Sequence, residues 1–191
     1  MPILPAEPDR YPPELLSGRP EPGLRRWWVL HSKPRQEKSL ARYLYAAGLE
    51  YFLPTIRKRN RIRGRIVTAQ IPLFTGYVFL RADPSERLIA LASNRVVQTL
   101  AVDDQERLWL DLRQVDILLS SGAPITPEDR LVPGDEVEIT SGALAGLTGT
   151  IVRTASGRRF VVRVDFIQQG ASVLLDDFAL VPRGRPTISS P

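Results

Sequence analysis

Catalysis needs side chains that titrate, attack or ligate, and this chain has few of them. It carries one histidine, His31, and no cysteine in 191 residues. Without cysteine there is no thiolate nucleophile, no thiolate metal site and no disulfide framework. His31 has no recognisable serine or aspartate partner, and a metal site would need further histidines or clustered carboxylates. The acidic pairs Asp103-Asp104 and Asp176-Asp177 read instead as turn and cap residues. The glycine-rich stretch Gly142–Thr150 lacks the lysine of a phosphate-binding loop and is expected to join two strands rather than a strand and a helix. An enzyme is therefore the weakest reading, and neither cofactor nor metal is expected.

Two other stretches carry the chemistry of contact. Ile71–Ala82 reads I-P-L-F-T-G-Y-V-F-L-R-A. On a strand Tyr77 and Phe79 share one face, and Val78 and Leu80 share the other. One face can close a sheet over helices, which leaves Phe74, Tyr77 and Phe79 partly available to a partner. The competing reading is a strand buried on both faces. The second stretch crowds Arg57, Lys58, Arg59, Arg61, Arg63 and Arg65 together, within a chain of net charge +5 and pI near 10.0. Such a run suits nucleic-acid phosphate, or else is a solvated hairpin tip.

The elements that must position these residues follow from periodicity. Seven of the seventeen prolines fall in Met1–Pro22, which predicts a disordered leader over 1–24. Trp27–Ser32 predicts a strand. Pro34 opens a helix that buries Leu40, Leu44 and Ala47 and ends at Gly48. A second strand over Glu50–Ile56, the basic hairpin and the Ile71–Ala82 strand come next. Asp83-Pro84-Ser85-Glu86 spells a capping box for a short helix. Val96–Val102 predicts a strand, and Leu108, Leu112, Val115 and Leu119 predict a third helix closed by Gly122. Beyond a Pro-containing linker over 123–131 the period becomes two. Val137 and Ile139 alternate with acidic residues, Gly142, Gly146 and Gly149 punctuate turns, and strands are expected at Phe160–Phe166 and Ser172–Leu175. The expected fold is α+β: an α/β sandwich over 25–122, joined to a small SH3-like β-barrel over 132–183, with a frayed tail over 184–191. No apolar run is long enough to span a bilayer and no signal peptide is visible, so a cytoplasmic monomer is expected.

Taken in order, these residues resemble one architecture. Trp28-Val29-Leu30 with Lys33, the Gln36–Gly48 helix and P-L-F-T-G-Y-V-F at Pro72–Phe79 resemble the N-terminal domain of the NusG/RfaH family of transcription elongation factors. Val132-Pro133-Gly134-Asp135 followed by Val137, Ile139, Gly142, Gly146, Gly149 and Val152 resembles a KOW domain. The resemblance implies a non-catalytic factor that sits on the clamp of the largest RNA polymerase subunit and touches non-template or upstream DNA. It implies suppression of pausing and termination, in the manner of the specialised antiterminators. It assigns Leu73, Phe74, Tyr77 and Phe79 to the polymerase, and Lys33, Arg35, Gln36, Tyr43 and Arg95 to DNA. Phe166 and Ile167 are assigned to a KOW partner, either a small-subunit ribosomal protein or a termination helicase. Gln168 stands where the family typically has glycine. A KOW-type RNA-binding or ribosome-associated module is the alternative function. The β-branched and glycine content of the second half predicts a barrel rather than a helical hairpin.

Overall fold

The structure, a computed structural model, describes residues 8–19, 23–62, 64–130, 132–154, 157–174 and 180–182. Arg63, Asp176, Asp177 and the expected tail lie outside the described residues. By its internal contacts the chain divides into two units, Met1–Leu110 and Asp111–Pro191.

Unit 1 is built on a five-stranded antiparallel sheet. Its strands are β1 (Arg10–Tyr11), β2 (Arg26–Ser32), β3 (Glu50–Phe52), β6 (Tyr77–Ala82) and β7 (Val96–Ala101), in the order β1-β3-β6-β2-β7. Two further strands, β4 (Thr55–Ile62) and β5 (Arg65–Pro72), pair only with each other. The helices are α1 (Glu37–Ala46) and α2 (Pro84–Ala92), with α3 (Gln105–Ser120) crossing the boundary between units. Alternation along β2 and β6 puts Leu30, Val78 and Leu80 on the face that meets Leu40, Ala41 and Leu44 of α1. Each of these leucines stabilises the fold by about 1.5–3 kcal/mol, as an upper estimate.

Local signals hold at several element ends. Asp83 caps α2 through Ser85 N at 2.7 Å and Glu86 N at 2.9 Å, while Glu86 reaches back to Asp83 N at 2.9 Å. Asp104 accepts from Arg107 N at 2.9 Å at the start of α3. Along α3 the buried stripe is Leu108, Leu112, Val115 and Leu118, and the expected Leu119 is only half-buried. The first helix starts at Glu37, with Pro34 in the preceding turn. The expected single strand over 50–56 is broken between Phe52 and Thr55, where Pro54 has no N–H to give a ladder.

Three boundaries differ from expectation. The leader is ordered over the described residues 8–19: Arg10 pairs with Phe52, Tyr11 pairs with Tyr51, and Leu15 and Leu16 are buried. Its prolines discourage regular structure, but the open edge of β3 offers backbone partners that composition does not reveal. The linker contains β8 (Thr126–Glu128), which pairs with the strand Gln169–Leu174. The division falls at 110/111 rather than in the linker, because the second half of α3 is bonded into unit 2. There Asp111 Oδ2 accepts from Asp165 N at 2.9 Å, and Gln114 Oε1 accepts from Thr148 N at 2.8 Å.

Unit 2 carries β8 with β9 (Asp135–Ile139), β10 (Thr148–Thr154), β11 (Gly157–Val164), β12 (Gln169–Leu174) and β13 (Leu180–Pro182), and a 3-10 turn at Asp165–Ile167. The order is β13-β9-β10-β11-β12-β8, antiparallel throughout. Val137, Ile139, Leu147, Phe160, Val162 and Val164 are buried. Gly142–Thr150 does join two strands. A Cβ at Gly149 would lie 2.4 Å from the Val161 carbonyl, so the close approach of β10 to β11 requires glycine there.

Candidate protein and nucleic-acid interface

The aromatic stretch was expected to offer its rings to a partner. The structure corrects this for three of the four candidates: Leu73, Phe74 and Phe79 are buried, and only Tyr77 is half-exposed. Phe79 lies on the sheet face away from α1, opposite Val29, with its ring 6.4 Å from Phe52 and 6.2 Å from Phe74. Tyr77 sits on the same face and stacks on His31 at 5.5 Å. The turn ahead of β6 is tied to α1, because buried Glu37 accepts from Gly76 N at 2.8 Å. The rings of Phe52, Phe74 and Phe79 therefore form a buried layer on that side of the sheet, with half-buried Tyr77 and His31 beside it. His31 is engaged in this stack. Among the described residues no group of three or more His, Asp or Glu is placed to hold a metal.

The residues assigned to DNA lie far apart in sequence, and the fold brings three of them together. Arg95 follows α2 and holds its guanidinium 5.8 Å from the Tyr43 ring on α1. Its Nε donates to Ser39 Oγ at 2.7 Å, and its Nη1 donates to the Ser93 carbonyl at 2.8 Å. Lys33 donates from Nζ to Asn94 Oδ1 at 3.0 Å, and its backbone N–H donates to the Arg95 carbonyl at 2.8 Å. Ser39 and Tyr43 are one turn apart on α1, which is why a single guanidinium reaches both. Arg35 is exposed with a left-handed backbone (φ 61°), and Gln36 occupies the N-cap of α1 without a side-chain cap bond. The result is a half-exposed ring beside the Arg95 guanidinium, with Lys33 bonded to the neighbouring Asn94, a chemistry suited to stacking a base and meeting phosphate. Ser39 and Asn94 were not singled out from sequence. Asn94 had a signal, since asparagine just past a helix end commonly takes the left-handed conformation, and its φ is 56°.

The basic stretch is a hairpin, as expected, formed by β4 and β5. Arg57, Lys58, Arg59, Arg61 and Arg65 are all exposed. Arg57 pairs with Gln70, Arg59 with Thr68 and Arg61 with Ile66, which sets three arginines on one face about 6.8 Å apart along the strand. Ile66 and Val67 are exposed on the returning strand. In unit 2, Val137 and Ile139 are core residues, Val152 is half-buried, and Gly142 and Gly146 have the positive φ of the turn. Of the expected partner contacts Phe166 is 38% exposed, whereas Ile167 is 9% exposed and faces inward. Gln168 takes a left-handed φ of 54°.

Comparison with known proteins adds an independent finding. The sequence model of a family described as "Transcription termination factor nusG" matches residues 25–119, from β2 through nearly all of α3. A solved structure described as "Domain interaction in Thermotoga maritima NusG" is similar with a TM-score of 0.43 and 16% identity, over 78% of this chain and 93% of that one. Comparison with curated proteins gave no match.

Proposed function

Because the chain belongs to the NusG family through residues 25–119, we propose that it is an elongation factor that binds RNA polymerase and suppresses pausing and termination. It acts without catalysis and without a cofactor, in the cytoplasm, as a monomer. The aromatic face ending at Tyr77 grips the clamp of the largest polymerase subunit. Lys33, Arg35, Gln36, Tyr43 and Arg95 meet non-template or upstream DNA, and the β4–β5 hairpin lies along nucleic-acid phosphate. Unit 2 serves as a KOW domain that offers Phe166 to a small-subunit ribosomal protein or a termination helicase.

The observation that carries this reading is the convergence of Lys33, Tyr43 and Arg95 from three separate elements onto one half-exposed patch. A factor that prefers the elongating form of polymerase needs only a modest preference, since about 1.4 kcal/mol of differential binding shifts a pause equilibrium about tenfold.

The test is a purified transcription reaction that measures pause lifetime and terminator read-through with and without the protein. Shorter pauses and greater read-through are expected. Tyr43→Ala combined with Arg95→Ala should weaken these effects while association with core polymerase persists. No change in either quantity at saturating protein, together with no association with polymerase, would defeat the reading.

A further inference from the structure

We propose that residues 8–19 form a strap held across the aromatic face of unit 1, and that this strap must lift before RNA polymerase can occupy the face. The inference rests on the polymerase-binding reading above and adds a control to it.

The strap is rooted at the edge of the sheet. Arg10 and Tyr11 pair with Phe52 and Tyr51, Leu53 N donates to the Asp9 carbonyl at 2.6 Å, and the Tyr51 hydroxyl donates to the Pro8 carbonyl at 2.7 Å. Its far end is tied to α3. Arg19 pairs with Glu106 at 2.5 Å in the first turn of α3. The neighbouring Gln105 bonds both the N–H and the carbonyl of Trp27 on β2, two strands beyond β3. Between these ends Leu15 is 9% exposed and Leu16 is 2% exposed. Tyr11 packs against the α1-side core, but neither leucine belongs to it. Their place outside that cluster, together with the Arg10 contact on Phe52, points the crossing to the opposite face. On that face the Arg10 guanidinium stands 5.2 Å from the Phe52 ring, and Phe52, Phe79 and Phe74 follow in succession.

The hold is of a kind that can be released. Firm contacts are confined to its first residues, at 8–11, and beyond them two leucines and an exposed ion pair fasten the segment; exposed ion pairs add little. Between Pro12 and Gly18 the backbone makes two turn hydrogen bonds, Leu15 N to the Pro12 carbonyl and Ser17 N to the Glu14 carbonyl. Segments with this little buried surface open at a small fraction of the global unfolding free energy. A partner for the rings competes with Leu15 and Leu16 for the same apolar ground. The apparent affinity for polymerase is then reduced by the fraction of molecules whose strap is down.

Two variants of the full chain test this. Leu15→Asp with Leu16→Asp should bind core RNA polymerase roughly tenfold more tightly than the wild type, as removal of a cover that is down nine times in ten requires. Leu16→Cys places a single thiol in a chain that has none. That thiol should react slowly with a maleimide in the free protein and several-fold faster in the polymerase complex. If the double variant unfolds, the labelling rate decides alone. A thiol that stays protected in the complex, or a folded double variant that binds no tighter than wild type, overturns the strap and leaves the polymerase reading standing. Failure of every form to associate with polymerase overturns both.

Discussion

Gln168 occupies a left-handed backbone position (φ 54°) at the exit of the 3-10 turn in unit 2. A side chain there costs about 1–2 kcal/mol, which glycine avoids at a price of greater freedom in the unfolded chain. Gln168 recovers part of the cost by donating from Nε2 to the Asp165 carbonyl at 2.6 Å on the exposed surface. Gln168→Gly should therefore stabilise the protein by about 0.5–1 kcal/mol, read as a higher urea midpoint at unchanged slope. The backbone requirement at this residue was foreshadowed, because glutamine stands where the resembled domain has glycine. The burial of Ile167 was not, since two adjacent apolar residues look alike until a turn points one of them inward. The same blindness applied to Phe79: a ring on a strand is legible as apolar, but its neighbours Phe52 and Val29 come from other strands, 27 and 50 positions away.

Among the elements, α2 was the most legible, because its start is specified within four consecutive residues. The Ser85 hydroxyl and then the Glu86 backbone N–H hold the Asp83 carboxyl below its usual range, with a smaller opposing effect of desolvation. A carboxyl lowered in the folded state adds stability above the ordinary aspartate range and loses it as pH falls through the lowered value. Asp83→Ala should lower the thermal midpoint at neutral pH, and the gap to wild type should narrow as pH is brought from about 7 to about 2. Asp83→Asn keeps an acceptor for the cap and should show little of that dependence. The hairpin was legible from its charge run, but the sharing of a face by Arg57, Arg59 and Arg61 needed the register. Replacing all three with serine should flatten the salt dependence of duplex DNA binding by about 2.7 in log–log slope if each meets one phosphate. An unchanged slope would remove the hairpin from the nucleic-acid surface.

Across the whole molecule, the order of elements and the change of period near residue 123 could be read directly. Helical and alternating patterns are local, and each is set by which side chains must face away from water within a few residues. The family match over 25–119 rests on that same local information. The N-terminal segment shows where such reading ends. Its proline content argues against order by itself, yet it gains backbone partners from β3 and a site for two leucines. The sequence alone determined that this chain has a single histidine and no cysteine, together with its two patterns of secondary structure. Only the tertiary structure decided which rings are buried, that Arg95 meets Tyr43, and that Arg10 and Tyr11 pair with β3. Those outcomes depend on pairings between distant residues, and no local preference encodes a partner that far along the chain.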